Sequence, residues 1–174
     1  PAGLAVLRNV GMDQIRDRVS VLTSRLLGIL TDLRHSNGRP AVDLYGPAST
    51  EGRGGTVAFN VVDPEGRILP YGIVERAAAE SNISLRGGCF CNPGAAEVAF
   101  GLPASEALRC FQGVPRGSFT LRGFAECMEY QVAVGALRAS VGIATNDADM
   151  DRLETFLQGF KDRVSLLAEG TEAY

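Results

Sequence analysis

The densest chemical stretch of the chain is Leu85-Arg86-Gly87-Gly88-Cys89-Phe90-Cys91-Asn92-Pro93-Gly94. It sets an arginine at the end of an expected strand, two glycines that free the backbone, and two thiols ahead of a Pro-Gly turn. A cysteine acts as a nucleophile through its thiolate, which forms where positive potential and access coincide. Arg86 and the start of the helix expected near Gly94 supply the potential, and the glycines supply reach. Two plainer readings stay open. Cys89 and Cys91 could be small core residues. They could also bind metal with Cys110, Cys127 and His35, although Cys-x-Cys lacks the paired spacing of structural zinc. A Cys89–Cys91 disulfide would be strained.

A second stretch, Ala136 to Asn146, carries the lone Arg138 in an otherwise apolar strand that runs into a capped helix. The five donors of a guanidinium there call for a carboxylate or a phosphate. A structural ion pair with one of the 20 acidic residues is equally open. Other chemistries have few carriers. Of 17 Lys+Arg only Lys161 is lysine, and His35 is the single histidine. Lys161, between Phe160 and Asp162 at the edge of a polar helix face, reads as a solvated surface residue. His35 lies near a helix end and reads as a capping or surface residue.

These residues need elements to hold them. The 174 residues, 45% hydrophobic and 21% charged, are enough for one domain with a real core. A net charge of −3 argues against nucleic acid as a partner. No apolar run reaches the length of a membrane span, and no signal sequence opens the chain. Four cysteines are too few for a disulfide scaffold, so reduced thiols in the cytoplasm are expected. Pro1 in place of Met reads as processing or excision from a longer protein. Met12, Ile15, Val19, Leu22, Leu26, Ile29, Leu30 and Leu33 repeat at the helical period. Short strands are expected at 41–45, 56–62, 83–86 and 136–143, the second serving as scaffold. Helices are expected at 72–81, 95–100, 105–111 and 146–167, with a loop over 113–123. The sum is an α/β chain of α+β character, a small mixed or antiparallel sheet covered by helices, with a long first helix partly outside it.

Several of these stretches together resemble one family. Asn82 through Ala95 is very similar to the Gly-Cys-Phe-Cys-Asn-(Pro/Thr)-Gly-Ala signature of molybdenum cofactor sulfurases, class V aminotransferase-fold relatives of the cysteine desulfurases. Gly11-Met12 with Ile15, His35 to Pro40, Leu44-Tyr45-Gly46, Phe59-Asn60-Val61, and Arg138-Ala139-Ser140 followed by Asn146, Asp147 and Asp151 resemble further family segments. Departures are Gly87 in place of Thr, Ala96-Glu97 in place of Cys and Gln, and no trace of the extra C-terminal domain of eukaryotic sulfurases. The resemblance implies the C-terminal small domain of a fold-type I pyridoxal phosphate enzyme over 37–174. Residues 1–36 would be a helical connection from a large cofactor domain not in this chain.

By the same resemblance Cys91 is the persulfide-forming nucleophile, Cys89 and Asn92 are accessory, and Arg138 with Arg86 binds the substrate carboxylate. Cysteine would condense with pyridoxal phosphate, and the Cys91 thiolate would attack its sulfur. Alanine would leave, and the persulfide would pass to molybdenum cofactor or an acceptor protein. The Schiff-base lysine is not in this chain, so no cofactor is expected on the chain alone. A homodimer is implied for the complete protein. A free-standing sulfur carrier or regulatory module, and a class V lyase or epimerase relative, are the alternatives.

Overall fold

The computed structural model describes residues 2–88, 93–115, 117–130 and 132–164, with only the backbone at 93–95. The order is α1 (Ala2–Val10), α2 (Met12–Asp32), β1 (Val42–Tyr45), β2 (Thr56–Val61), α3 (Tyr71–Glu80), β3 (Arg86–Gly88), α4 (Pro93–Phe100), α5 (Ala104–Gln112), α6 (Leu121–Cys127), β4 (Ala136–Ser140) and α7 (Asp147–Gln158). The strands form one antiparallel sheet in the order β1-β2-β4-β3. This is the small helix-covered sheet expected from the sequence.

Strand side chains alternate between faces. Val57, Phe59, Val61 and Leu137 fall on one face and are fully buried. Against them pack Leu22, Leu26, Leu27 and Leu30 of α2, Val74 of α3, and Met150, Leu153 and Leu157 of α7. Only the second half of α2 joins this core. Its first half and the whole of α1 leave Leu4, Val6 and Met12 exposed. Gly11, at φ +90°, separates the two helices.

Several expectations shift. The third strand is Arg86–Gly88, not 83–86. Asn82, at φ +57°, ends α3 in a Schellman motif, with Asn82 N–H donating to Ala79 O and Ile83 N–H to Ala78 O. Ile83 is therefore committed to the helix end and cannot begin a ladder. The last strand stops at Ser140, because Gly142 turns back onto Thr145 Oγ1. The expected loop over 113–123 gives way to α6 from Leu121, where Thr120 Oγ1 accepts from Gly123 N.

The closing helix ends at Gln158, and Leu167 lies outside the described residues. After Gly159 the chain tightens, and Asp162 at φ +58° accepts from Ser36 N (2.7 Å) and Ser36 Oγ (2.6 Å). Those bonds hold the Asp162 carboxyl below the ordinary carboxylate range. His35 is not a surface residue: it is 3% exposed. Its Nδ1 accepts from Asp162 N (3.0 Å), so the proton sits on Nε2 and donates to Val62 O (3.0 Å). It ties α2, β2 and the C-terminal turn together.

Between β3 and β4 the helices α5 and α6 make a second small core of Ala107, Cys110, Phe124 and Met128. There the expectation of four free thiols fails. Cys110 and Cys127, 17 residues apart, form a disulfide because α5 and α6 pack side by side with these positions facing. No helix among the described residues is long and apolar enough to cross a membrane.

Candidate functional site

The side of the sheet away from the core carries the candidate residues. Registers align Tyr45, Ala58, Arg138 and Arg86 in one row across β1, β2, β4 and β3. Arg138, half-buried in β4, thus stands directly opposite exposed Arg86. Directly opposed residues have Cβ atoms about 5 Å apart, and like charges there repel. Each of Arg16, Arg25, Arg67 and Arg122 has a carboxylate partner. Neither the Arg86 nor the Arg138 side chain has a hydrogen bond or ion pair with a described residue. The structural ion pair left open for Arg138 is absent among the described residues. Two arginines opposed in register, neither with a carboxylate in contact among the described residues, are able to take an anion between them.

Gly88 ends β3 at φ +131°, a conformation open to glycine and costly for other residues. From Gly88 to Pro93, where α4 begins, four residues intervene. Cys89, Cys91 and Asn92 are among them and lie outside the described residues. The structure therefore brings together Arg86 and Arg138, at the root of the cysteine segment.

Gly87 turns to the other face and explains its own departure from the family pattern. A Cβ at Gly87 would lie 2.5 Å from Tyr71 Cδ2 and 2.7 Å from Glu75 Oε2. One at Gly135 would lie 2.6 Å from Tyr71 Cε1. The Tyr71 ring occupies the room two side chains would need.

Two residues beside the arginines went unremarked as site residues in the sequence. Asn60, fully buried, donates through Nδ2 to Tyr45 Oη (3.1 Å) and Gly135 O (2.8 Å). Its Oδ1 has no partner among the described residues. Tyr45 is packed edge-on by Phe100, with ring centroids 4.9 Å apart. Burial pushes its phenol up to about 12, against a smaller lowering by the Asn60 bond. Tyr45 therefore keeps its proton and can donate. Alternation along β1 and β2 is the signal that could have placed both on the arginine face, given the register.

Lys161 is not placed to hold pyridoxal phosphate. It is exposed on the turn after α7, beside the Asp162 that binds Ser36, and not on the arginine row. The described residues contain no cluster of metal-ligating side chains.

No protein-family model matches the chain. Individual proteins do. Over 160 residues, 89% of this chain, it is 33% identical to a protein named molybdenum cofactor sulfurase from Anopheles gambiae. Over 158 residues, 84% of this chain, it is 30% identical to one of the same name from Caenorhabditis elegans. Over 95 residues, 53% of this chain, it is 37% identical to one from Bos taurus. The match takes in 20%, 21% and 11% of those three relatives, so the chain spans about a fifth of their length or less.

Proposed function

We propose that this chain is the thiol-bearing part of a molybdenum cofactor sulfurase. Cys91 attacks the sulfur of L-cysteine, and the C–S bond breaks with its electron pair going to carbon. Alanine is released after protonation, and Cys91 keeps a persulfide that passes to the molybdenum cofactor. The electron sink is what pyridoxal phosphate held outside this chain would supply. Arg138, with Arg86 beside it, holds the carboxylate of the sulfur donor, L-cysteine. Cys89 and Asn92 flank the reacting thiol. The observation that carries this reading is Arg86, on the strand that leads into Cys89 and Cys91, set opposite Arg138 of β4, neither side chain having a carboxylate partner among the described residues. Similarity to proteins named molybdenum cofactor sulfurase supports the sulfur chemistry.

The residues here do not fit pyridoxal phosphate, since the sequence's one lysine, Lys161, is exposed and off the arginine row. Exposed Lys161 instead favours a second reading, in which the chain carries sulfur that a separate desulfurase delivers. One experiment tests the thiol in both. The chain is incubated with a cysteine desulfurase and L-cysteine, and its peptides are weighed by mass spectrometry. One added sulfur on the Cys91 peptide is expected, retained in Cys89→Ser and lost in Cys91→Ser. Absence of that sulfur overturns both readings.

The arginines are tested by titrating L-cysteine while following their side-chain N–H resonances. Arg138→Met should weaken binding roughly 10- to 100-fold, as loss of charge-assisted hydrogen bonds does. L-cysteine methyl ester, which lacks the carboxylate, should bind no better than that variant. Equal binding of acid and ester would remove the carboxylate role.

A further inference from the structure

The segment between β3 and β4 is held together differently from the rest of the chain. Ala107 and Cys110 of α5, Phe124 of α6 and Met128 just after it form a core separate from that of the sheet. So small a core holds two helices weakly, and small units are commonly stapled by disulfides. Here the staple is Cys110–Cys127, between positions 17 apart. The segment is tied to the sheet by Phe100 against Tyr45, by Tyr130 O accepting from Ile68 N (2.9 Å), and by Gly135 O accepting from Asn60 Nδ2 (2.8 Å).

The two sulfurs differ in access. Cys110 is 3% exposed, and its Sγ lies 3.6 Å from Met128 Sδ inside the small core. Cys127 is exposed at the end of α6. Just past it, Glu129 and Tyr130 both hold positive φ, at +53° and +56°. Residues with side chains keep that conformation only where their surroundings enforce it. Glu129 N–H donates to Glu126 O (3.0 Å) and Tyr130 N–H to Ala125 O (2.9 Å), so the turn depends on α6 staying in place.

We propose that Cys110–Cys127 is a reducible latch, opened by a dithiol that attacks Cys127. The incoming thiolate bonds to Cys127 Sγ. The Cys110–Cys127 bond breaks with its electron pair going to Cys110 Sγ, which takes a proton from water. The second thiolate of the reductant then attacks the reductant's first sulfur and expels Cys127 as a thiolate. The dithiol is oxidised to a disulfide, and the chain gains two thiols. Attack on Cys110 is blocked by the packing that buries it. The two products are therefore unequal. Cys110 stays in the small core as an apolar residue, and Cys127 becomes a surface thiol open to modification. Without the staple α6 loosens from α5, while the sheet keeps its own core. The latch does not depend on Cys91 or the arginine row.

The test uses the 174-residue chain with Cys89→Ser and Cys91→Ser, which leaves Cys110 and Cys127 as its cysteines. It is oxidised with glutathione disulfide and then exposed to 2-mercaptoethanol, a neutral monothiol. Acid quenching keeps the mixed disulfide for peptide mass mapping. The adduct is expected on Cys127, in about tenfold or greater excess over Cys110. After full reduction with dithiothreitol, iodoacetamide should label Cys127 of the folded chain about tenfold or more faster than Cys110. Hydrogen exchange across α5 and α6 should quicken about tenfold or more on reduction, while Val57, Phe59 and Leu137 stay protected. Cys127→Ser should show that exchange pattern without any reductant. Three results overturn the proposal: no Cys110–Cys127 peptide after oxidation, an adduct as abundant on Cys110, or exchange in α5 and α6 unchanged by reduction. Protection lost across the sheet as well does the same, because the pair would then staple the whole fold.

Discussion

At the scale of residues, neighbours decide what each side chain can do. Arg25 and Arg138 are the same residue type, yet Arg25 bridges Asp147 and Asp151 across α2 and α7 while Arg138 faces another cation. The first is a clamp; the second has unspent binding capacity. Gly87 shows the same dependence sterically. Threonine, the residue of the family pattern, cannot enter unless the Tyr71 ring moves, and Gly135 closes the other side of that ring. Gly87→Thr is therefore expected to cost about 1–3 kcal/mol. In a Tyr71→Ala background the same change should cost much less. Urea unfolding of the four species measures the coupling, and additive costs would show that the ring is not the obstacle.

Elements depend on their ends as much as on their apolar stripes. α7 begins where the sequence places it, because Asn146 and Asp149 form a reciprocal capping box. Asn146→Ala should lower stability by about 1 kcal/mol, and Asn146→Asp should restore most of it. Thermal melts compare the two, and an unchanged midpoint for the alanine variant would deny the cap its role. β3 shows the opposite case. Ile83 and Leu85 have strand character, but Ile83 N–H is already bonded to Ala78 O, so pairing waits until Arg86. A local hydrogen bond closing a helix overrides strand propensity in the next residues.

Across the whole molecule the question is which segments share a core. α1 buries no side chain, whereas Leu22, Leu26, Leu27 and Leu30 of α2 sit at 4% exposure or less. Deleting residues 1–11 should therefore change stability by under about 0.5 kcal/mol. Deleting 1–36 removes four buried leucines, at about 2–5 kcal/mol each, more than a domain of this size can lose. Circular dichroism melts should show a cooperative transition for the first truncation and none for the second. A cooperative 37–174 would mean that α2 is only a connector.

The candidate residues and most of the elements are legible in the sequence. The thiols, the glycines and Arg86 lie within a few consecutive residues, and helical period and strand alternation are local patterns. Tertiary structure decided what depends on distant partners. Register placed Arg86 against Arg138, 52 positions later, and set Tyr45 and Asn60 on the same face. Packing buried His35 under a turn 127 residues away and joined Cys110 to Cys127. A one-residue change of register would send every strand side chain to the other face. No local pattern encodes that choice, because it is made by contacts between segments far apart in the chain.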